Sequence, residues 1–228
     1  MYAHINELRI FAFEFKPKIL LLSETRTVEN MTDAELDIEG YNIFRCDSHN
    51  RHTGGVAVYI RKSISAFAVN SSKCNFVWSL SIKISKGFLN DVFSVIYRGH
   101  DSHIRFLESR LEEICDDAVE RSSGIHILGD FNVNFTNKPQ SKSIVSVARL
   151  FGLHQKIASP TRVTSNTSTL IDWYLTNSNE LAVNVYDNFN ISDHNFVAVN
   201  LFAQKKVNSP NPIVRTVLEN YSKDSLLA

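Results

Sequence analysis

Apolar positions along the chain switch between helical and strand spacing. Near the start, Ile5, Leu8, Phe11, Ala12 and Phe15 recur three or four residues apart, which predicts a helix over 3–15. Pro17 cannot continue it. Ile19, Leu20, Leu21 and Leu22 then form an unbroken apolar run, read as a buried strand from Lys18 that turns polar at Ser23 and Glu24. Residues 41–45 and 54–60 read as a strand pair, with Gly54 and Gly55 allowing a close approach before Val56. Phe76, Trp78, Leu80, Ile82 and Ile84 alternate along a strand over 76–84. Lys86, Gly87 and Asn90 read as a turn into a returning strand from Val92 to Tyr97. Ile104, Leu107, Leu111, Ile114 and Ala118 place an amphipathic helix over 103–119. Ile125 to Gly129 is a short buried strand, and Ile144, Val147, Ala148 and Phe151 mark another helix. Strands are expected near 170–176, 181–187 and 196–202. Strands outnumber helices and several are joined by short turns. The expected class is therefore α+β, with sheets packed on each other and helices outside.

Composition adds bounds. The 228 residues suit one large domain or two small ones, and 43% hydrophobic content supplies a sizeable core. Lys+Arg and Asp+Glu are both 24, so the formal charge is zero. That balance argues against strong non-specific nucleic-acid affinity while leaving room for a local basic rim. The three cysteines, Cys46, Cys74 and Cys115, show neither zinc spacing nor a disulfide framework, which favours a reducing, intracellular setting. Cys115 falls on the apolar stripe of its helix and reads as core. No run of about 18 apolar residues indicates a membrane span. Glu7, Arg9 and Glu14 interrupt any signal-peptide pattern.

Four carboxylates occupy equivalent places in this pattern. Glu24 ends one apolar strand and Asp130 follows another. Asp172 lies in the apolar segment Leu170–Trp173, and Asp193 just precedes the strand from Phe196. Each alone is ordinary: a solvated strand end, or a turn. Together, carboxylates at strand ends can converge on one sheet edge. They then repel unless a cation lies between them, and hard oxygen ligands suit magnesium or manganese. His126 lies between Ile125 and Ile127 and reads as packed or at the rim.

Taken in order, Ser23-Glu24-Thr25, Gly129-Asp130-Phe131-Asn132, Leu170-Ile171-Asp172-Trp173 and Ser192-Asp193-His194 resemble the successive motifs of the endonuclease/exonuclease/phosphatase superfamily. Tyr97-Arg98 resembles its catalytic tyrosine, and Gly54 to Tyr59 its glycine-led strand. The resemblance covers residues 2–202 and is nearest to the abasic-endonuclease-like domain of non-LTR retrotransposons. It implies a four-layer α/β/β/α sandwich of two mainly antiparallel sheets. It also implies a core strand carrying an Asn ahead of the first helix. Met1 lies almost at that helix, so the expected domain, 1–202, lacks this N-terminal strand, and 203–228 is a linker and C-terminal tail.

The implied activity is magnesium- or manganese-dependent phosphodiester hydrolysis. The implied substrate is DNA, nicked on one strand to leave a 3′-hydroxyl and a 5′-phosphate. Glu24 and Asp193 are the expected metal ligands. Asp130 would orient and deprotonate water, with Asn132 beside it. His194, held charged by Asp172 through an ordinary hydrogen bond, would touch a non-bridging oxygen. Tyr97 would donate a phenolic hydrogen bond to the phosphate. Arg51, His52, Arg98 and Arg162 are candidate nucleic-acid contacts. The implied setting is nuclear, and no membrane surface or obligate protein partner is indicated. Two alternatives stay open: a catalytically impaired remnant of such a domain, and a phosphatase acting on inositol phosphates or phospholipids.

Overall fold

The computed structural model describes residues 4–85, 90–179, 181–187 and 192–202. The expected turn at Lys86 and Gly87 and the expected tail over 203–228 lie outside these residues. The chain order begins with helix α1 (Ile5–Phe15) and strands β1 (Ile19–Ser23), β2 (Tyr41–Cys46) and β3 (Val56–Arg61). Strands β4 (Ala66–Cys74), β5 (Val77–Ile84) and β6 (Val92–Arg98) follow, then α2 (Ile104–Arg121), β7 (Ile125–Asp130) and α3 (Lys138–Leu150). Three short strands come next: β8 (His154–Gln155), β9 (Arg162–Val163) and β10 (Ser168–Thr169). The described chain ends with β11 (Asp172–Thr176), β12 (Leu181–Tyr186) and β13 (Phe196–Leu201).

Four layers result. In α1, Ile5, Leu8 and Ala12 are buried on one face and pack with Tyr41, Tyr59 and Leu20 of a three-stranded antiparallel sheet ordered β1-β3-β2. Lys16 closes the helix in the left-handed conformation, its N–H donating to the Ala12 carbonyl at 3.1 Å. The central strand β3 explains why every residue from Val56 to Ile60 is buried. Tyr59 faces α1, while Val56, Val58 and Ile60 face Trp78, Leu80, Ile82 and Val95 of the second sheet.

That second sheet has six strands, ordered β4-β5-β6-β7-β11-β8, and α2 and α3 cover its far side. Every pair in it is antiparallel except β6 with β7, which α2 connects by a crossover. Hence β5 is buried on both faces, and it starts at Val77: Phe76 continues the apolar alternation but belongs to the preceding turn rather than to the strand. The nine-residue β4 is invisible to an apolar count. It is an edge strand carrying Asn70, Ser71, Ser72 and Lys73, and its backbone rather than its side chains secures it to β5. β12 and β13 pair as an antiparallel hairpin whose valines pack against the core of α2 and α3, while Phe196 stacks on Phe11 of α1 at 4.8 Å. Among the described residues β1 pairs only with β3.

Candidate active site

The sheet register assembles one cluster. Asp172 of β11 lies directly opposite Asp130 of β7, and Tyr97 of β6 is in register with Asp130 on the other side. Three functional groups thus form a row across three neighbouring strands. The parallel β6–β7 pair matters here, because it brings two strand C-termini to the same edge. Gly129 makes the approach possible. Its φ is +146°, and a Cβ there would lie 1.9 Å from the Ile96 carbonyl oxygen. β1 packs across β6 and β7 and delivers Glu24 to the same edge.

Asp130 is 3% exposed. One of its oxygens accepts the Asn132 N–H at 2.8 Å, a local turn, and the other accepts the Asn132 amide at 3.2 Å. The same amide donates to the Arg98 carbonyl at 2.7 Å, tying the Asp130–Asn132 turn to the end of β6. Asn132 and Glu24 both adopt left-handed φ, +49° and +48°, so two site residues sit in sparsely populated backbone conformations.

His194 arrives from the segment preceding β13. It forms an isolated bridge with Arg162, and the Asn195 N–H donates to the Thr161 carbonyl at 2.7 Å. Its Nδ1 lies 2.8 Å from Asp172 Oδ2. Ligand atoms of Asp130, Asp172 and His194 all fall within 4.8 Å of one another.

The electrostatics follow. Burial, and then the charges of Asp172 and Glu24, push Asp130 well above the carboxylate range, against the pull of His194 and the Asn132 N–H. For His194, burial works against the charged ring, but the hydrogen bond and charge of Asp172, with Asp130 and Asp193, raise it to about 9. It is an imidazolium at neutral pH. Burial lifts Tyr97 to about 12, with Glu24 and Asp130 adding and a hydrogen bond to Thr53 at 3.3 Å opposing, so it remains a phenol donor.

Other expected residues take more individual positions. Arg26 pairs with Glu24 at 2.9 Å. Asp193 Oδ2 accepts the Arg162 Nε–H at 2.7 Å and lies 2.6 Å from Arg162 Nη2 in the same ion pair, while its Oδ1 is 4.0 Å from His194 Nε2. Burial raises Asp193, but this clamp and His194 outweigh it and leave it lowered. Arg98 directs its guanidinium inward, to the carbonyls of Asn132, His100 and Ser102. Arg51 and His52 are exposed in the β2–β3 loop, where Arg51 lines an open hollow of about 430 Å³ with His49 and Lys73. His126 is packed at the opposite end of β7, against Phe93 and bonded to Tyr174, Thr176 and Asp91.

Two contributors, Thr53 and Arg26, escaped the sequence reading; Thr161 opens the stretch to Thr169 that reads as a candidate DNA-probing loop by resemblance, but its buried hydroxyl accepts the Asp172 N–H at 3.0 Å, a role not foreseen. None carries a motif. Only Arg26, two residues beyond Glu24, offered a charge to notice.

No protein-family model matches the chain. In an alignment 180 positions long that covers 74% of this chain, it is 26% identical to a probable RNA-directed DNA polymerase from transposon BS of Drosophila melanogaster, and it spans 19% of that protein. Among solved structures, the endonuclease domain of TRAS1, a telomere-specific non-LTR retrotransposon, superposes with a TM-score of 0.69 at 16% identity, over 88% of this chain and 93% of that one. An endonuclease/exonuclease/phosphatase family protein from Leptotrichia buccalis superposes with a TM-score of 0.58 at 17% identity, over 88% and 93%. The chain has the endonuclease/exonuclease/phosphatase fold, as the motif order implies.

Proposed function

We propose that this chain, on its endonuclease/exonuclease/phosphatase fold, is a divalent-metal-dependent DNA endonuclease that nicks one strand, leaving a 3′-hydroxyl and a 5′-phosphate. The observation that carries the reading is the Asp130–Asp172–His194 cluster beside Tyr97 at one sheet edge. The match to a transposon polymerase and to a retrotransposon endonuclease domain supports DNA as the substrate.

The donor set fits a hard cation. Asp130, Asp172 and His194 bring their ligand atoms within 4.8 Å of one another, and Glu24 is near enough for its charge to raise Asp130. Glu24 would hold the cation, with Asp193 Oδ1 free of the Arg162 clamp on the other oxygen. When bound, magnesium or manganese supplies charge relief to the phosphoryl oxygens and to the departing alkoxide.

The chain's own residues do the rest. Asp130, fixed by Asn132, orients a water for attack on phosphorus and accepts its proton. Its upward displacement makes it a better base near neutral pH than an ordinary carboxylate. The P–O3′ bond breaks as the new P–O bond forms. His194 presents an N–H and a full positive charge to a non-bridging oxygen, held in that orientation by Asp172. Tyr97 donates a phenolic hydrogen bond to a second oxygen and stays protonated. Catalysis is mostly positioning and electrostatic stabilisation, without a covalent enzyme intermediate.

The test is nicking of supercoiled plasmid. The wild-type chain with magnesium should produce open circles with ligatable ends. EDTA should stop the reaction, and Asp130→Ala should slow it by about 100- to 10,000-fold. Absence of wild-type nicking, or nicking that survives Asp130→Ala, rejects the assignment.

A further inference from the structure

The β4–β5 hairpin turns through Asn75 and Phe76, with φ of +52° and +58°. A two-residue turn with both central residues left-handed favours Asn followed by Gly. Asn75 fits. Phe76 is the kind of bulky residue for which this conformation is a genuine outlier. Packing does not explain it, since the residue is 56% exposed. Nor does it belong to an apolar patch. Cys74 and Asn75 beside it are exposed, and Phe67, the other exposed ring of the hairpin, lies at the far end opposite Lys83. A protein interface would need a broader apolar surface. Residues held in strained conformations without a packing reward cluster at functional sites.

The position of the ring gives the second line of argument. Phe76 accepts the Gly99 N–H at 2.8 Å, and the Ser102 hydroxyl donates to the Asn75 carbonyl at 2.7 Å. The hairpin tip is therefore pinned to the segment that leaves the active site through Arg98. From the site outward, Tyr97 lies 5.7 Å from Trp78, and Trp78 lies 6.3 Å from Phe76 in an edge-on arrangement. A continuous aromatic series thus runs from the phenol beside Asp130 to an exposed ring on a rigid tip. It offers a π-face and no charge, beside a cluster suited to phosphate.

We infer that Phe76 is a stacking platform for an unstacked nucleobase of the strand being cut, next to the scissile phosphate. The inference rests on the nuclease reading above and names its substrate contact. Stacking of this kind tolerates any base and needs the base itself, not its sugar or phosphate.

The test compares binding of a short fluorescent oligothymidylate with a base-free strand of tetrahydrofuran units of equal length. Wild type should prefer the base-bearing strand. Phe76→Gly should weaken oligothymidylate binding by roughly 5- to 150-fold and leave the base-free strand unchanged. Phe76→Trp should retain the preference. Because glycine suits the turn, Phe76→Gly should also melt no lower than wild type, which separates lost stacking from lost structure. If Phe76→Gly keeps the full preference, or if wild type nicks plasmid yet shows none, the stacking role is wrong while the nuclease reading stands. If wild type neither nicks plasmid nor binds either strand, the nuclease reading fails and this inference with it. If an apolar protein partner rather than DNA is captured through Phe76, the stacking role is likewise overturned.

Discussion

Asp172→Asn isolates the imidazolium. The substitution keeps the shape of the side chain and an oxygen able to accept from Nδ1, but removes the charge. In the wild-type chain His194 lies at about 9 instead of its ordinary 6.5, which corresponds to about 3 kcal/mol favouring the charged ring. Asp172 is the main raising influence, through its hydrogen bond and then its charge, and burial alone would lower the group. The variant's His194 should therefore titrate well below about 9. Asp130 should fall as well, since Asp172 is the strongest of the charges raising it.

Imidazole NMR in EDTA reads the histidine directly, without turnover. The alkaline limb of kcat/KM for nicking should move down with it. Stability follows with a definite sign. A group whose folded pKa is raised stabilises the fold fully below its unfolded value, and that contribution is lost as pH rises through the folded value. Wild-type melting temperature should thus decline between pH 6.5 and about 9 by up to roughly 10 °C. The Asp172→Asn profile should be flatter there. A variant whose His194 still titrates near 9 would refute the assignment of the shift to Asp172.

Two further perturbations probe the frame around the site. Gly129→Ala should destabilise by about 2–5 kcal/mol, because its Cβ would collide with the Ile96 carbonyl and its φ is unsuited to alanine; thermal unfolding measures this, and an unchanged melting temperature would contradict the close approach. Arg162→Ala releases a largely exposed carboxylate, so stability should change by less than about 1 kcal/mol, whereas kcat/KM for nicking should fall about 10-fold as Asp193 and the His194 segment lose their clamp.

The strand-end placement of Asp130 and Asp172 was legible because each follows or opens a short apolar run whose length fixes where the strand stops. Their direct opposition was not, since register depends on which strands pair. The same ignorance separated Asp193 from Arg162. One read as a metal ligand and the other as a DNA contact, and only the folded chain shows the guanidinium on the carboxylate. Thr53 and Thr161 act through single hydroxyls in loops, where no periodicity flags a residue. Phe76 was misread for a physical reason: alternation continues through it, and a period of two cannot reveal that the backbone has already turned.

The opposition of Asp130 and Asp172 also bears on how separate parts of the fold support each other. Both belong to the six-stranded sheet, which contains none of residues 192–202. Without His194, the two carboxylates would face each other and the sheet edge would be strained by their repulsion. Docking of the last hairpin inserts the His194 charge and relieves that repulsion. The hairpin packs mainly through half-buried valines, a modest hold on geometric grounds. Charge relief gives it a second hold, which works at long range before packing is complete. It couples the β12–β13 hairpin to the six-stranded sheet, so that loss of either weakens the other.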